Sequence, residues 1–173
     1  MTSRRTFLKA GVGASALLAL GGGIYRATRK HPAPHAFALD AAARTILGAI
    51  APALLAGSWQ AGHANPVALG TVIDDVGHAI LKLPLSSQAE LRDLFGLLDL
   101  APARRVLTGI AGPWSGASPA AVHGFLQDWR TSPFGLLRAA YAALHDLVLG
   151  AWYAAPASWQ AIGYPGPQLE WGP

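Results

Sequence analysis

Three observations predict an all-α fold, a compact bundle of about five helices followed by an extended tail rich in proline and aromatic residues. Capping residues and prolines recur at the spacing of helix boundaries, and the apolar residues between them return every three or four positions. No run alternates apolar and polar residues over the length of a strand, and no repeat of 20 to 50 residues is visible. The 173 residues suffice for one core once the N-terminal segment is set aside.

The elements follow in order. Asp40 is placed to cap a first helix that runs to Ala56, with Ile46, Leu47, Ile50, Leu54 and Leu55 on one side and a kink expected at Pro52. Asn65-Pro66 puts a capping side chain before a proline at the first helical position. Leu69, Val72, Ile73, Val76 and Ile80 then make an apolar face that ends by Pro84. Ser87 and Glu90 have the spacing of a capping box ahead of Leu91, Leu94, Phe95 and Leu98. Ser118-Pro119 opens a helix with Val122, Phe125, Leu126 and Trp129 on one face. Ser132-Pro133 opens a longer one carrying Leu137, Tyr141, Leu144, Val148 and Trp152. Loops are expected over Gly57 to Ala64 and Ala111 to Gly116.

Charge divides the chain. Six of its 13 Lys and Arg residues (Arg4, Arg5, Lys9, Arg26, Arg29 and Lys30) precede Asp40, the first acidic residue. Without them the body holds seven basic against nine acidic residues, a net of −2, despite a pI near 9.9 for the whole chain. A body without a basic stripe lacks the residues for neutralising phosphates, so nucleic-acid binding is excluded as a function class. Hydrophobic residues make up 52% and charged residues 13%, about half the usual charged share, which predicts apolar surface facing a partner or a bilayer. Cysteine is absent, which rules out disulfides, thiolate metal sites and thioether haem attachment in this chain.

The first residues carry the sharpest motif. Ser3-Arg4-Arg5-Thr6-Phe7-Leu8-Lys9 resembles the twin-arginine export signal at every specified position, Ser3, Arg4, Arg5, Phe7, Leu8 and Lys9. An apolar stretch from Ala10 to Tyr25, diluted by Gly11, Gly13 and Gly21 to Gly23, follows at once. Its sixteen residues reach ~24 Å as a helix, short of the ~30 Å hydrocarbon core. Ala36 and Ala38 form an A-x-A match, so residues 1–38 read as leader and linker, with cleavage leaving Leu39 first. The competing reading is an uncleaved leader that tethers the chain to the membrane, because the A-x-A lies far from the apolar stretch. The body then spans 39–155 and the tail 156–173.

No catalytic constellation stands out. His31, His35, His63, His78, His123 and His145 do not pair at metal-ligand spacing, and Asp74 with His78 at i and i+4 reads as a surface pair. His123 with Asp128, or His145 with Asp146, needs a serine alongside, and Trp114-Ser115-Gly116 lacks the first glycine of a nucleophile elbow. Only Glu90 and Glu170 are glutamates, which gives little support to a catalytic carboxylate pair. No catalytic, metal or cofactor-binding residue is therefore assigned in this chain. The tail holds Trp159, Tyr164 and Trp171 among Pro156, Pro165, Pro167 and Pro173, a composition suited to lying across a surface, its own bundle's or a partner's.

Phe125-Leu126-Gln127-Asp128-Trp129-Arg130 and Ala151-Trp152-Tyr153 leading into Gly163-Tyr164-Pro165-Gly166-Pro167, behind such a leader, resemble the small subunit of periplasmic flavoprotein dehydrogenases, the gluconate 2-dehydrogenase subunit 3 type. The resemblance covers the leader and most of the body. It implies a non-catalytic subunit that escorts a leaderless flavoprotein of the glucose-methanol-choline oxidoreductase type through the twin-arginine translocase and stabilises it in the periplasm. It also implies FAD in that partner, with none in this chain, and electrons passed to a multihaem cytochrome c. A stable interface wants aromatic anchors. Trp129, Trp152, Tyr153, Trp159 and Tyr164 are the candidates, about half of them expected in the core instead. The alternatives are a membrane-tethered periplasmic structural protein and a stand-alone periplasmic enzyme or binding protein.

Overall fold

The structure, a computed structural model, describes residues 36–57 and 66–159. Helix accounts for 79% of them, with no strand, so the chain is an all-α bundle as its sequence predicts. The helices are α1 (Ala41–Leu54), α2 (Pro66–Leu81), α3 (Leu85–Asp99), α4 (Ala101–Thr108), α5 (Pro119–Arg130), α6 (Gly135–Ala154) and the single turn α7 (Pro156–Trp159). The chain divides between His35 and Ala36 into two units. The residues before Ala36, those of 58–65 and those after Trp159 lie outside the described residues. With them lie the export motif, Asn65 and Tyr164.

α1 is the central element. Asp40 caps it as expected, its Oδ1 accepting from Ala43 N–H at 2.8 Å. Ala43, Ile46, Leu47, Ile50, Ala51 and Leu55 are buried, and α1 packs against α2, α3, α5 and α6. Pro52 sits in its last turn and withholds an N–H from the Gly48 carbonyl, and the helix ends two residues later. Gly57 then turns the chain at φ +107°, a conformation that suits a residue without Cβ. α2 begins at Pro66 and its Val72, Ile73, Val76 and Ile80 are buried, much of that face lying against α6.

Two predicted helix starts are displaced. α3 begins at Leu85 behind Pro84 without a side-chain cap, so Ser87 and Glu90 do not form a capping box. The reason is Gln88: it is buried and draws the preceding turn inward through its amide. α6 begins at Gly135, not at Pro133. Ser132 is buried, its hydroxyl accepting from Phe134 N–H at 3.2 Å, while Arg138 Nη1 donates to its carbonyl at 2.6 Å. Those contacts hold residues 132–134 as a turn. Ser118, in the same dipeptide, does cap its helix, accepting from Ala121 N–H at 3.2 Å.

α4 was not expected, which makes six helices of two turns or more among the described residues in place of about five. Pro102 explains it. In a continuous helix its nitrogen would face the Leu98 carbonyl, which it cannot satisfy and with which its ring would clash. Leu100 therefore goes extended (φ −68°, ψ 115°), and Pro102 falls in the first turn of a new helix, where no N–H is missed. α4 closes on Gly109 in the left-handed region (φ 74°). The tail also departs from expectation at its start: Pro156–Trp159 is a helical turn, with Ser158 buried and bonded to the Ala155 carbonyl at 2.8 Å.

Candidate partner interface

Breaking α3 from α4 and ending α4 at Thr108 leaves helix C-terminal carbonyls without partners. Three long side chains supply them. Trp114 Nε1 donates to the Leu98 carbonyl at 2.9 Å, Arg104 Nη1 to Asp99 at 3.1 Å, and Trp129 Nε1 to Leu107 at 2.8 Å. Trp114 stands in a 3-10 turn, Trp114–Gly116, within the span expected as plain loop. Phe125 lies between the two indoles, edge-to-face with both, at 5.9 Å from Trp114 and 5.4 Å from Trp129. The ring geometry is the favourable T-shaped kind, and all three are buried.

Four of the five candidate anchors lie among the described residues. Trp129, 2% exposed, and Trp152, 4% exposed, are core residues, so their rings offer a partner nothing. Their places in the series Val122, Phe125, Leu126, Trp129 and Leu144, Val148, Ala151, Trp152 are the signal that points inward. Tyr153, the neighbour of Trp152, turns outward and is 38% exposed. Trp159 is half-buried, its Nε1 donating to the Tyr153 carbonyl at 2.9 Å. Tyr153 and Trp159 thus form one feature at the C-terminal end of α6. Tyr164 is outside the described residues.

Sequence reasoning missed a half-open apolar groove of about 610 Å³ between α1 and the start of α5. Gly48, Ala49, Pro52, Ala53 and Ala56 form one wall, and Trp114, Ala117 and Pro119 the other. Small residues at i, i+1, i+4, i+5 and i+8 along α1 are the trace it leaves in the sequence. Ser115 and His123 also line it, and among the described residues no hydrogen bond joins the two and no carboxylate bonds the imidazole. Asp128 lies exposed further along α5.

The other titratable pairs are surface features. Asp74 does not meet His78: it pairs with Arg44 at 2.6 Å, both about half exposed, and His78 lies 3.9 Å from Asp75 instead. His145 Nδ1 is 3.0 Å from Asp146 Oδ1, with the Tyr141 ring 5.6 Å away. No group of three or more potential metal ligands converges among the described residues, and no helix among them is long and apolar enough to cross a membrane. No family model, curated protein or solved structure matches the chain.

Proposed function

We propose that this chain is a non-catalytic small subunit, which escorts a leaderless FAD-dependent dehydrogenase of the glucose-methanol-choline type through twin-arginine export and stabilises it in the periplasm. The observation that carries the reading is the complete S-R-R-x-F-L-K match from Ser3 to Lys9, set ahead of a body that resembles such subunits in its tryptophan, tyrosine and proline punctuation. Leu136, Val106, Leu85, Leu81 and Leu100 are exposed large apolar side chains, and with Tyr153 and the α1–α5 groove they give a partner apolar surface to cover. A multihaem cytochrome c is the expected electron acceptor of the complex.

The test is export of the partner. Changing Arg4 and Arg5 together to Lys is expected to strand a yellow flavoprotein in the cytoplasm, read by flavin absorbance and dehydrogenase activity in separated cell fractions. A flavoprotein exported normally from that strain removes the escort role. Activity or ligand affinity in the purified chain alone would favour the stand-alone periplasmic protein.

A further inference from the structure

The A-x-A motif at Ala36 to Ala38 lies in the folded body. Phe37 is 5% exposed, its ring 6.0 Å from Phe95 of α3. Its N–H donates to the buried Gln88 Oε1 at 2.8 Å, and Gln88 Nε2 donates in turn to the carbonyls of Leu83 at 2.8 Å and Leu81 at 3.2 Å. One side chain therefore ties the arm to the turn between α2 and α3. The Ala38 carbonyl, which a leader peptidase would attack, accepts from Asp40 N–H at 3.0 Å. Leu39 packs so closely on α2 that a Cβ added at Gly77 would lie 3.1 Å from its Cδ2. Asp40 is committed to capping α1.

A leader peptidase takes its substrate extended, with the small side chains before the bond in its own pockets. Ala36 and Ala38 are exposed, but the backbone between and after them is bonded within the fold, and Phe37 would have to leave the core. We propose that residues 36–40 form a protease-resistant strap, in which Phe37, seated against Gln88 and Phe95, withholds the Ala38–Leu39 bond, so that any processing falls before Ala36. Cleavage after Ala38 would also strip Phe37 from the finished core. The strap gives the chain a fixed N-terminal boundary three residues ahead of the motif's apparent cut. The cellular arm of its test rests on the export reading, whereas the arm in solution does not.

In solution, purified leader peptidase is added to the folded full chain and to a synthetic peptide of residues 30–45, and cutting after Ala38 is followed by intact mass. The peptide is expected to be cut, and the folded chain on the order of 100-fold more slowly, the population cost of lifting a buried Phe from its site. Gln88→Leu and, separately, Phe95→Leu are expected to raise cutting at least about tenfold while helical circular dichroism is retained. Equal rates for chain and peptide overturn the proposal, as does a peptide that resists cutting, since the fold then protects nothing. In cells, the exported form is expected to retain Phe37, with Ala38→Arg leaving its processing unchanged; an exported form beginning at Leu39 overturns the strap. A chain that is not exported counts against the escort reading and leaves the arm in solution to decide.

Discussion

Replacing Gln88 with Leu keeps the volume of the side chain but removes an acceptor and two donated bonds. The Phe37 N–H is then left buried without a partner, which costs about 1–3 kcal/mol. The Leu81 and Leu83 carbonyls lose bonds worth about 0.5–1.5 kcal/mol each, but Leu81 is exposed and Leu83 only partly buried, so water recovers part of that. The expected total is about 2–4 kcal/mol. For a body of this size that lowers the melting temperature by roughly 10 °C. Urea and thermal unfolding followed by circular dichroism measure it. A second readout separates this clasp from general core damage: Gln88→Leu and Phe37→Ala act on one strap, so together they should cost clearly less than their sum. Additive effects, or a loss below about 0.5 kcal/mol for Gln88→Leu alone, refute the clasp. Gln88→Glu adds a sign. Its carboxylate would face two carbonyl oxygens, so ionisation is disfavoured in the folded state and the variant's stability should fall as pH rises from acid to neutral, where the wild type's does not.

Trp129→Phe keeps a ring beside Phe125 but leaves the Leu107 carbonyl without its donor, and is expected to cost about 1–3 kcal/mol in chemical unfolding with no loss of partner binding. Arg44→Ala removes an ion pair whose members are each about half exposed, so stability should change by less than about 1 kcal/mol and less again in high salt. Gly109→Ala puts a side chain on a left-handed φ of 74° at the end of α4, and a loss of about 1 kcal/mol is expected in the same assay even though the added Cβ meets no neighbouring atom.

Apolar spacing made α1, α2, α3, α5 and α6 legible, and a helix start was legible where its expected cap forms. Asp40 and Ser118 cap where expected, each accepting from the backbone N–H three residues on. Ser132 shares Ser118's dipeptide but not its role, because it is buried and Arg138 holds its carbonyl, a contact six residues along that no local pattern encodes. Gln88 reads as an ordinary polar helix residue, and its bonds to the Leu81 and Leu83 carbonyls and to Phe37, 51 positions away, make it structural. Trp129 and Trp152 are the members of the candidate set that fall in the core, in keeping with the expectation that about half would. Their periodic positions place them on the buried faces of α5 and α6.

A body without cysteine has to close its long loops by non-covalent ties, and the loop-closure cost rises only logarithmically with length. The buried ties of this bundle span 16 residues (Trp114 to Leu98), 22 (Trp129 to Leu107) and 51 (Gln88 to Phe37). Each pairs a side-chain donor or acceptor with a backbone group, two of which are carbonyls at helix ends and the third the N–H of the strap. Tryptophan suits the first two because one residue brings both a large apolar ring for the core and a single N–H for the carbonyl. Of the aromatic residues that invite an interface reading, Trp129 and Trp152 therefore belong to the core. The outward side of α6 near Tyr153 and the small-residue groove along α1 are the surfaces that the proposed partner could cover without reopening any of these ties.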